Sequence, residues 1–159
     1  MDNDDVRLAQ NGHGAAAYAD AVATYLACAV SRSADYWSSL AVWAGDFVAH
    51  TFGRQALSMI WDYAEANPFS NSTGNWSGAT DWVARVVERL PAQATGYVVQ
   101  RDARTAAQIS PIMISTDPPY YDNVGYADLP DFFYVWLRRA ADVVNPQLFA
   151  TLLTAKLAF

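Results

Sequence analysis

The first half of the chain carries apolar residues at steps of three and four, the spacing of one face of a helix. The clearest stretch runs from Ala15 to about Trp43 and is rich in alanine, which favours helix. Gly45-Asp46 is expected to end it. The apolar positions of this predicted helix are Tyr18, Val22, Tyr25, Leu26, Ala29, Val30, Trp37 and Leu40.

Two shorter helices are predicted next, at Gln55–Ala66 and Thr80–Leu90, and residues 69–78 form a polar loop between them. Asn67-Pro68 closes the first of these because the residue before a proline is disfavoured in helix. The inward positions would be Ala56, Met59, Ile60 and Tyr63 in one helix and Trp82, Val83, Val86, Val87 and Leu90 in the other.

The pattern then changes to short apolar runs. Gly96–Gln100 and Ile112–Ser115 are typical of strands buried on both faces, as in a parallel sheet. Residues 101–111 would connect them as a short crossover. A last helix is predicted over Leu129–Val144, with Asp128 as its cap and Pro130 in its first turn. Helices followed by strand, crossover, strand and helix indicate an α/β fold.

Composition limits the possibilities. The 159 residues suffice for one domain, and 53% of them are hydrophobic while only 16% are charged, below the roughly 25% of an average domain. The net charge of −6 gives no basic patch for gripping nucleic acid unaided. One cysteine, Cys28, excludes an internal disulfide, and no metal site is predicted. The acidic N-terminus lacks the positive charge of a signal peptide, so we expect a soluble, cytoplasmic protein without a membrane anchor.

The main chemical motif is Asp117-Pro118-Pro119-Tyr120, directly after the second predicted strand. Ligands of open α/β sheets bind at the carboxyl ends of strands. Two prolines make the turn rigid, and the turn offers a carboxylate, a backbone carbonyl and an aromatic ring. These groups suit an exocyclic amine on a flat base. The alternative is a plain Pro-Pro turn, or a Pro-Tyr ligand for a WW-type module.

The stretch Ser115–Arg139 carries this motif and continues past it. It reads Ser-Thr-Asp-Pro-Pro-Tyr-Tyr-Asp-Asn-Val-Gly-Tyr-Ala-Asp-Leu-Pro-Asp-Phe-Phe-Tyr-Val-Trp-Leu-Arg-Arg. It resembles the large adenine-specific DNA methylases that have an uncharacterised N-terminal domain. The resemblance is specific over residues 112–139 and looser over most of 20–154. It includes the segments beginning at His50, Trp61, Gly74 and Pro146.

The resemblance implies a partial Rossmann-like fold that uses S-adenosyl-L-methionine to methylate the N6 amino group of a flipped adenine. Asp117 and the Pro118 carbonyl would accept hydrogen bonds from that amine, Pro119 would stiffen the turn, and Tyr120 would stack on the base. The base pocket would include Tyr121, Asp122, Asn123 and Tyr126. The cofactor would contact Asp117 and also Asp102, which follows the first predicted strand.

Such enzymes need a glycine-rich loop for the cofactor, and none of the eight glycines forms one after a strand. The expectation is therefore an incomplete enzyme with low activity alone. It would comprise a frayed start (1–14), a helical region (15–92) and part of a catalytic region (93–159). DNA and the missing remainder, or a partner subunit, would be its partners, and restriction-modification is a plausible context. The alternatives are an RNA-base or protein-glutamine methyltransferase, or a non-catalytic helical interaction domain.

Other residues in the resemblance have ordinary structural explanations. His50 is expected to be a structural hydrogen-bonding residue, and Trp76 to anchor a packed loop. Phe132, Phe133 and Trp136 suit core packing. Arg138 and Arg139 are equally compatible with phosphate contacts and with a solvated helix end.

Overall fold

The computed structural model describes residues 4–54, 56–62, 64–91, 93, 96, 113–117 and 129–154. It contains a short 3₁₀ turn at Leu8–Gln10 and three α-helices: α1 (Ala15–Trp37), α2 (Trp76–Arg89) and α3 (Leu129–Ala141). The one antiparallel β-bridge in these ranges joins Trp43 to Val48 around a tight turn. None of the described helices is long and apolar enough to span a membrane.

The α/β expectation is wrong for the part of the chain that the structure describes, which is helical and has no β-strand. Residues 113–115, the described part of the second predicted strand, are not paired with any strand. Met113 is 98% exposed and Ile114 is 72% exposed, whereas a strand buried on both faces would hide both. A short apolar run does not by itself supply the neighbour that a strand needs for its backbone hydrogen bonds. The first predicted strand lies outside the described residues except for Gly96.

The predicted helix at Gln55–Ala66 is also wrong, because the described residues of that range are not helical. Met59 is 80% exposed and Trp61 is 91% exposed, so neither packs on another element. A helix of this length is marginal in water unless one face is buried. This range has the periodic apolar pattern of a helix, but its Met59 and Trp61 side chains pack on no described element.

Helix α1 ends at Trp37, six residues before the predicted end, and Ser38 adopts an extended conformation. Helix α2 begins four residues before the predicted start, because the Asn75 side chain caps it by accepting from the Gly78 N–H (2.7 Å). Helix α3 begins at Leu129, as predicted, and ends three residues early.

The core lies along α1, which contacts α2 and α3, while those two described helices do not contact each other. Small side chains dominate the buried apolar positions, whereas large ones predicted to point inward, Trp82, Val86 and Leu90 among them, are more than half exposed. Close packing through alanine brings helix axes together but buries little apolar area per residue. Among the described residues, the buried apolar ones are Ala17, Ala27, Ala29, Ala34, Tyr36, Ala41, Ala79, Ala141 and Val144.

Residues before α1 are held against it by Asp20, whose side chain is only 6% exposed. The Arg7 guanidinium pairs with this carboxylate through two contacts, Nε to Oδ2 (2.8 Å) and Nη2 to Oδ1 (2.7 Å). The Leu8 N–H donates to Oδ2 as well (3.0 Å). Nearby, the His13 N–H donates to the Asp4 carboxylate and lowers the pKa of that group.

Asp20→Asn should destabilise the fold by about 1–3 kcal/mol, because it removes the charge that orders Arg7 and one of the acceptors for these three contacts. Arg7 is itself 46% exposed, so the upper values for a fully buried ion pair do not apply. Urea unfolding followed by circular dichroism measures the change. The exposed Asp62→Asn is the matched control and should stay within about 0.5 kcal/mol of the parent; equal midpoints for the two variants would contradict the assignment.

Candidate functional site

Asp35, in the last turn of α1, binds the segment that returns towards the helix after the β-bridge. Its backbone carbonyl accepts from the N–H (2.8 Å) and the hydroxyl (2.7 Å) of Thr51. Its carboxylate accepts from the Phe52 N–H (3.1 Å) and lies 2.7 Å from His50 Nδ1. One residue therefore fixes three consecutive residues of the returning segment.

His50 extends this network to the neighbouring Tyr36. The Asp35 carboxylate can only accept, so Nδ1 of the imidazole carries the proton. In the neutral ring, Nε2 is then free to accept from the Tyr36 hydroxyl, at 3.3 Å. The two rings also pack with their centroids 4.6 Å apart. This geometry confirms His50 as a structural hydrogen-bonding residue.

Phe52 connects the same segment to α3. Its ring contacts Phe132 and Phe133, with centroids 5.1 Å and 5.2 Å away. The first turn of α3 also binds the C-terminal segment through Asp131, which accepts from the Thr154 N–H (2.8 Å). Phe132 and Phe133 are half-buried and pack on Phe52, so they have the packing role that was predicted, although they are not fully buried. Trp136, by contrast, is 43% exposed and lies below Arg139.

A cleft of about 230 Å³ lies between the end of α1 and the start of α2. Gly74 forms part of it and packs directly against the Tyr36 ring, and the Gly74 carbonyl accepts from the Trp37 indole N–H (2.8 Å). A Cβ on Gly74 would lie 2.8 Å from a Tyr36 ring carbon. The positive φ of +83° is a second reason for glycine here. The polar side of the cleft is formed by Arg32, Ser33 and Asn75.

Arg32 lies at this cleft with its guanidinium carbon 5.0 Å from the centre of the Trp82 ring. No carboxylate among the described residues pairs with it. Asp35, the acidic residue nearest in sequence, is occupied by His50 and Phe52. The cleft therefore has an uncompensated positive charge on one wall.

Gly74→Ala should destabilise the protein by more than Gly45→Ala. Gly45 also has a positive φ (+103°), yet a Cβ there would meet no atom within 4 Å. Gly45→Ala thus measures the backbone cost alone, about 1–2 kcal/mol. Gly74→Ala adds the clash with Tyr36, worth about 1–3 kcal/mol more. Thermal and urea unfolding of both variants provide the comparison. Equal losses of stability would show that the Tyr36 ring moves aside at no energetic cost.

A second, wholly apolar cavity of about 370 Å³ opens at the start of α3. Leu129, Pro130, Phe133 and Leu137 line it, and Thr154 closes one side. Tyr134 also lines it, but the Tyr134 hydroxyl donates to the Thr151 carbonyl and the Thr154 hydroxyl to Asp131, so the cavity offers mainly packing surface. Within the described ranges, no three His, Cys, Asp or Glu side chains converge as metal ligands.

Of the site residues predicted from sequence, the structure describes Asp117. Its side chain is exposed and makes no hydrogen bond or ion pair to another described residue. The other predicted site residues lie outside the described residues, so their mutual geometry stays a prediction. They are Asp102, Pro118, Pro119, Tyr120, Tyr121, Asp122, Asn123 and Tyr126.

Sequence reasoning missed the cleft. Asn75 carried a usable signal, since Asn after a polar loop and before a periodic run marks a helix start. That start would have placed Gly74 and Asn75 at a helix N-terminus. No sequence signal pairs Arg32 or Ser33 with that turn, because the contact joins residues about forty positions apart. Trp76 packs on Trp37 (centroids 6.3 Å), consistent with a loop anchor.

Comparison with known proteins adds no family assignment. No protein-family model, curated protein or solved structure matches the chain. The resemblance carried by Ser115–Arg139 therefore stays a prediction from the residues themselves.

Proposed function

We propose that this chain supplies the amine-recognising residues of a DNA adenine N6-methyltransferase that uses S-adenosyl-L-methionine. The proposal is carried by Asp117 at the head of Asp117-Pro118-Pro119-Tyr120, with its carboxylate exposed and without a partner among the described residues. A carboxylate kept out of internal hydrogen bonds is available to a substrate. The proposal includes a cytoplasmic location for the protein.

These residues would recognise the amine of the substrate and orient it. The exocyclic amine of adenine has two N–H donors, and the Asp117 carboxylate and the Pro118 carbonyl are two acceptors close together along the chain. Hydrogen bonds to both would localise the nitrogen lone pair away from the ring and towards the methyl donor. Tyr120 would add stacking on the flipped base, worth about 1–3 kcal/mol. Alignment of this kind accelerates transfer without a strong base.

The described residues do not fit S-adenosyl-L-methionine. Neither of the two cavities described above adjoins a glycine-rich turn that follows a strand, and Asp117, which is exposed, lines neither of them. We therefore derive no step through the cofactor. The proposal assigns its binding to a partner subunit or to the rest of a larger methylase, and low activity is expected from this chain alone.

A second candidate is favoured by one observation. The segment before the prolines, residues 113–117, is exposed throughout, as a peptide ligand would be. Pro-rich segments with tyrosine bind aromatic grooves in an extended conformation. In this alternative the chain is a non-catalytic helical domain that presents Pro-Pro-Tyr to a WW-type module.

Binding of two nucleosides to the whole chain tests the proposed amine recognition directly. Adenosine should shift the amide resonances of Met113 to Asp117, whereas N6,N6-dimethyladenosine, which has no amine N–H, should bind at least about tenfold more weakly. Asp117→Ala should abolish this difference. Asp62→Ala, an exposed acid elsewhere, should preserve it. A methyl-transfer assay with labelled cofactor on DNA, RNA and protein then separates the substrate classes.

Equal affinity for the two nucleosides, unchanged by Asp117→Ala, would contradict the proposal. The second candidate makes the opposite prediction for a WW module titrated with the chain. There, Pro119→Ala should remove binding, while Asp117→Ala should leave it within about twofold.

A further inference from the structure

The cleft between α1 and α2 gathers groups that favour an anion. It lies at the N-terminal end of α2, a fourteen-residue helix whose dipole places partial positive charge there. Arg32 adds a full positive charge at the same cleft, held over the Trp82 ring. Each of these two features is common alone, and their convergence on one concave surface is what suits a negative ligand.

The Arg32 charge is not used within the fold. No Asp or Glu among the described residues lies within ion-pair distance of it, and the carboxylate of Asp35, the acid nearest in sequence, binds His50 and Phe52 instead. A guanidinium presents several N–H donors in a fork that matches two oxygens of a phosphate. The Trp82 ring holds the guanidinium in place, so the Arg32 side chain loses less conformational entropy when it binds a phosphate.

Ser33 provides an independent observation. It forms part of the cleft wall, its residue is only 1% exposed, and its hydroxyl oxygen has no hydrogen-bond partner. A buried hydroxyl without a partner costs about 1–3 kcal/mol, and alanine would fill the same position without that cost. A ligand oxygen that enters beside Ser33 would give the hydroxyl its missing partner.

The shape of the cleft agrees with a small ligand that approaches the backbone. Gly74 and Gly78 both line it and add no side chain of their own, although the Tyr36 ring packs against Gly74 and the Asn75 side chain caps the Gly78 N–H. Its volume of about 230 Å³ exceeds that of one phosphate group and is below the range for a drug-sized molecule.

We propose that this cleft binds a phosphate group, with Arg32 and the Ser33 hydroxyl as its side-chain donors and the N-terminus of α2 as electrostatic support. This inference concerns a site separate from Asp117 and goes beyond the proposed function. The phosphate could belong to a free phosphate monoester or to a nucleic-acid backbone, and both offer the same oxygens to the cleft. Only the nucleic-acid source rests on the proposed DNA substrate.

Titration of the whole chain with three probes at constant ionic strength tests the site. The probes are inorganic phosphate, adenosine 5′-monophosphate and a twelve-base-pair DNA duplex, with chloride as the reference anion. Isothermal titration gives affinity, and ¹H–¹⁵N spectra should show the largest shifts at the Gly74 and Gly78 amides. Saturation by either small phosphate identifies a monoester site, and saturation by the duplex alone identifies a backbone phosphate.

Three variants separate binding from folding. Arg32→Gln keeps a helix-forming side chain and should weaken binding of the probe at least about tenfold. Ser33→Ala should weaken it about five- to tenfold while leaving the urea midpoint unchanged or higher, because the unpaired hydroxyl is gone. Arg85→Gln, the same change on an exposed arginine outside the cleft, should alter the affinity for inorganic phosphate less than about twofold.

Three outcomes would overturn the inference. The first is no saturable binding of any probe relative to chloride. The second is binding with shifts away from Gly74 and Gly78, or binding that Arg32→Gln leaves unchanged. The third is a Ser33→Ala variant that loses stability but not affinity, which would make the hydroxyl a structural group satisfied by water.

Discussion

The described fold depends on the hydrogen bonds of Asp35. Its carbonyl and its carboxylate together hold His50, Thr51 and Phe52 against the end of α1. From there, His50 reaches Tyr36 and Phe52 reaches the aromatic pair of α3. A single acidic residue of α1 therefore orders the segment that reaches α3 and that also contacts Tyr36, which forms one wall of the cleft.

Packing around α1 explains why this polar anchor matters. The buried apolar positions are mostly alanines, so the contacts between helices are close but contribute little buried area. Large side chains such as Tyr18, Trp61 and Trp82 are more than half exposed. With modest hydrophobic stabilisation inside, directional hydrogen bonds at Asp35 and the ion pair at Asp20 define how the segments sit against the central helix.

The same arrangement bears on function. The Asp35 carboxylate, the nearest in sequence to Arg32, binds His50 and Phe52, and the guanidinium at the cleft pairs with no carboxylate among the described residues. Tyr36, held by His50, in turn requires glycine at position 74, because a Cβ there would clash with the Tyr36 ring at the wall of the cleft. The phosphate site that we propose is thus a consequence of how the helical scaffold is anchored, independent of the motif at Asp117.

Local signals in the sequence predicted part of this structure. The periodic run from Ala15 predicted α1, and Pro130 in the first turn supported the correct start of α3 at Leu129. The helix at Gln55–Ala66 and the strand at Ile112–Ser115 failed because each needed a packing partner that periodicity does not reveal. The cleft could not be predicted, since Arg32 and Gly74 meet only through tertiary contact. The chemical motif at Asp117 was visible in the sequence from its residue types alone.

Amide hydrogen exchange of Asp35→Ala tests the central role of Asp35 most directly, with Asp62→Ala as the control. The account predicts faster exchange at Thr51 and Phe52, and also at Gly74 beside the cleft and across α3, while the Asp20 end of α1 keeps its protection. Faster exchange confined to residues 50–52, with Gly74 and α3 unchanged, would contradict it.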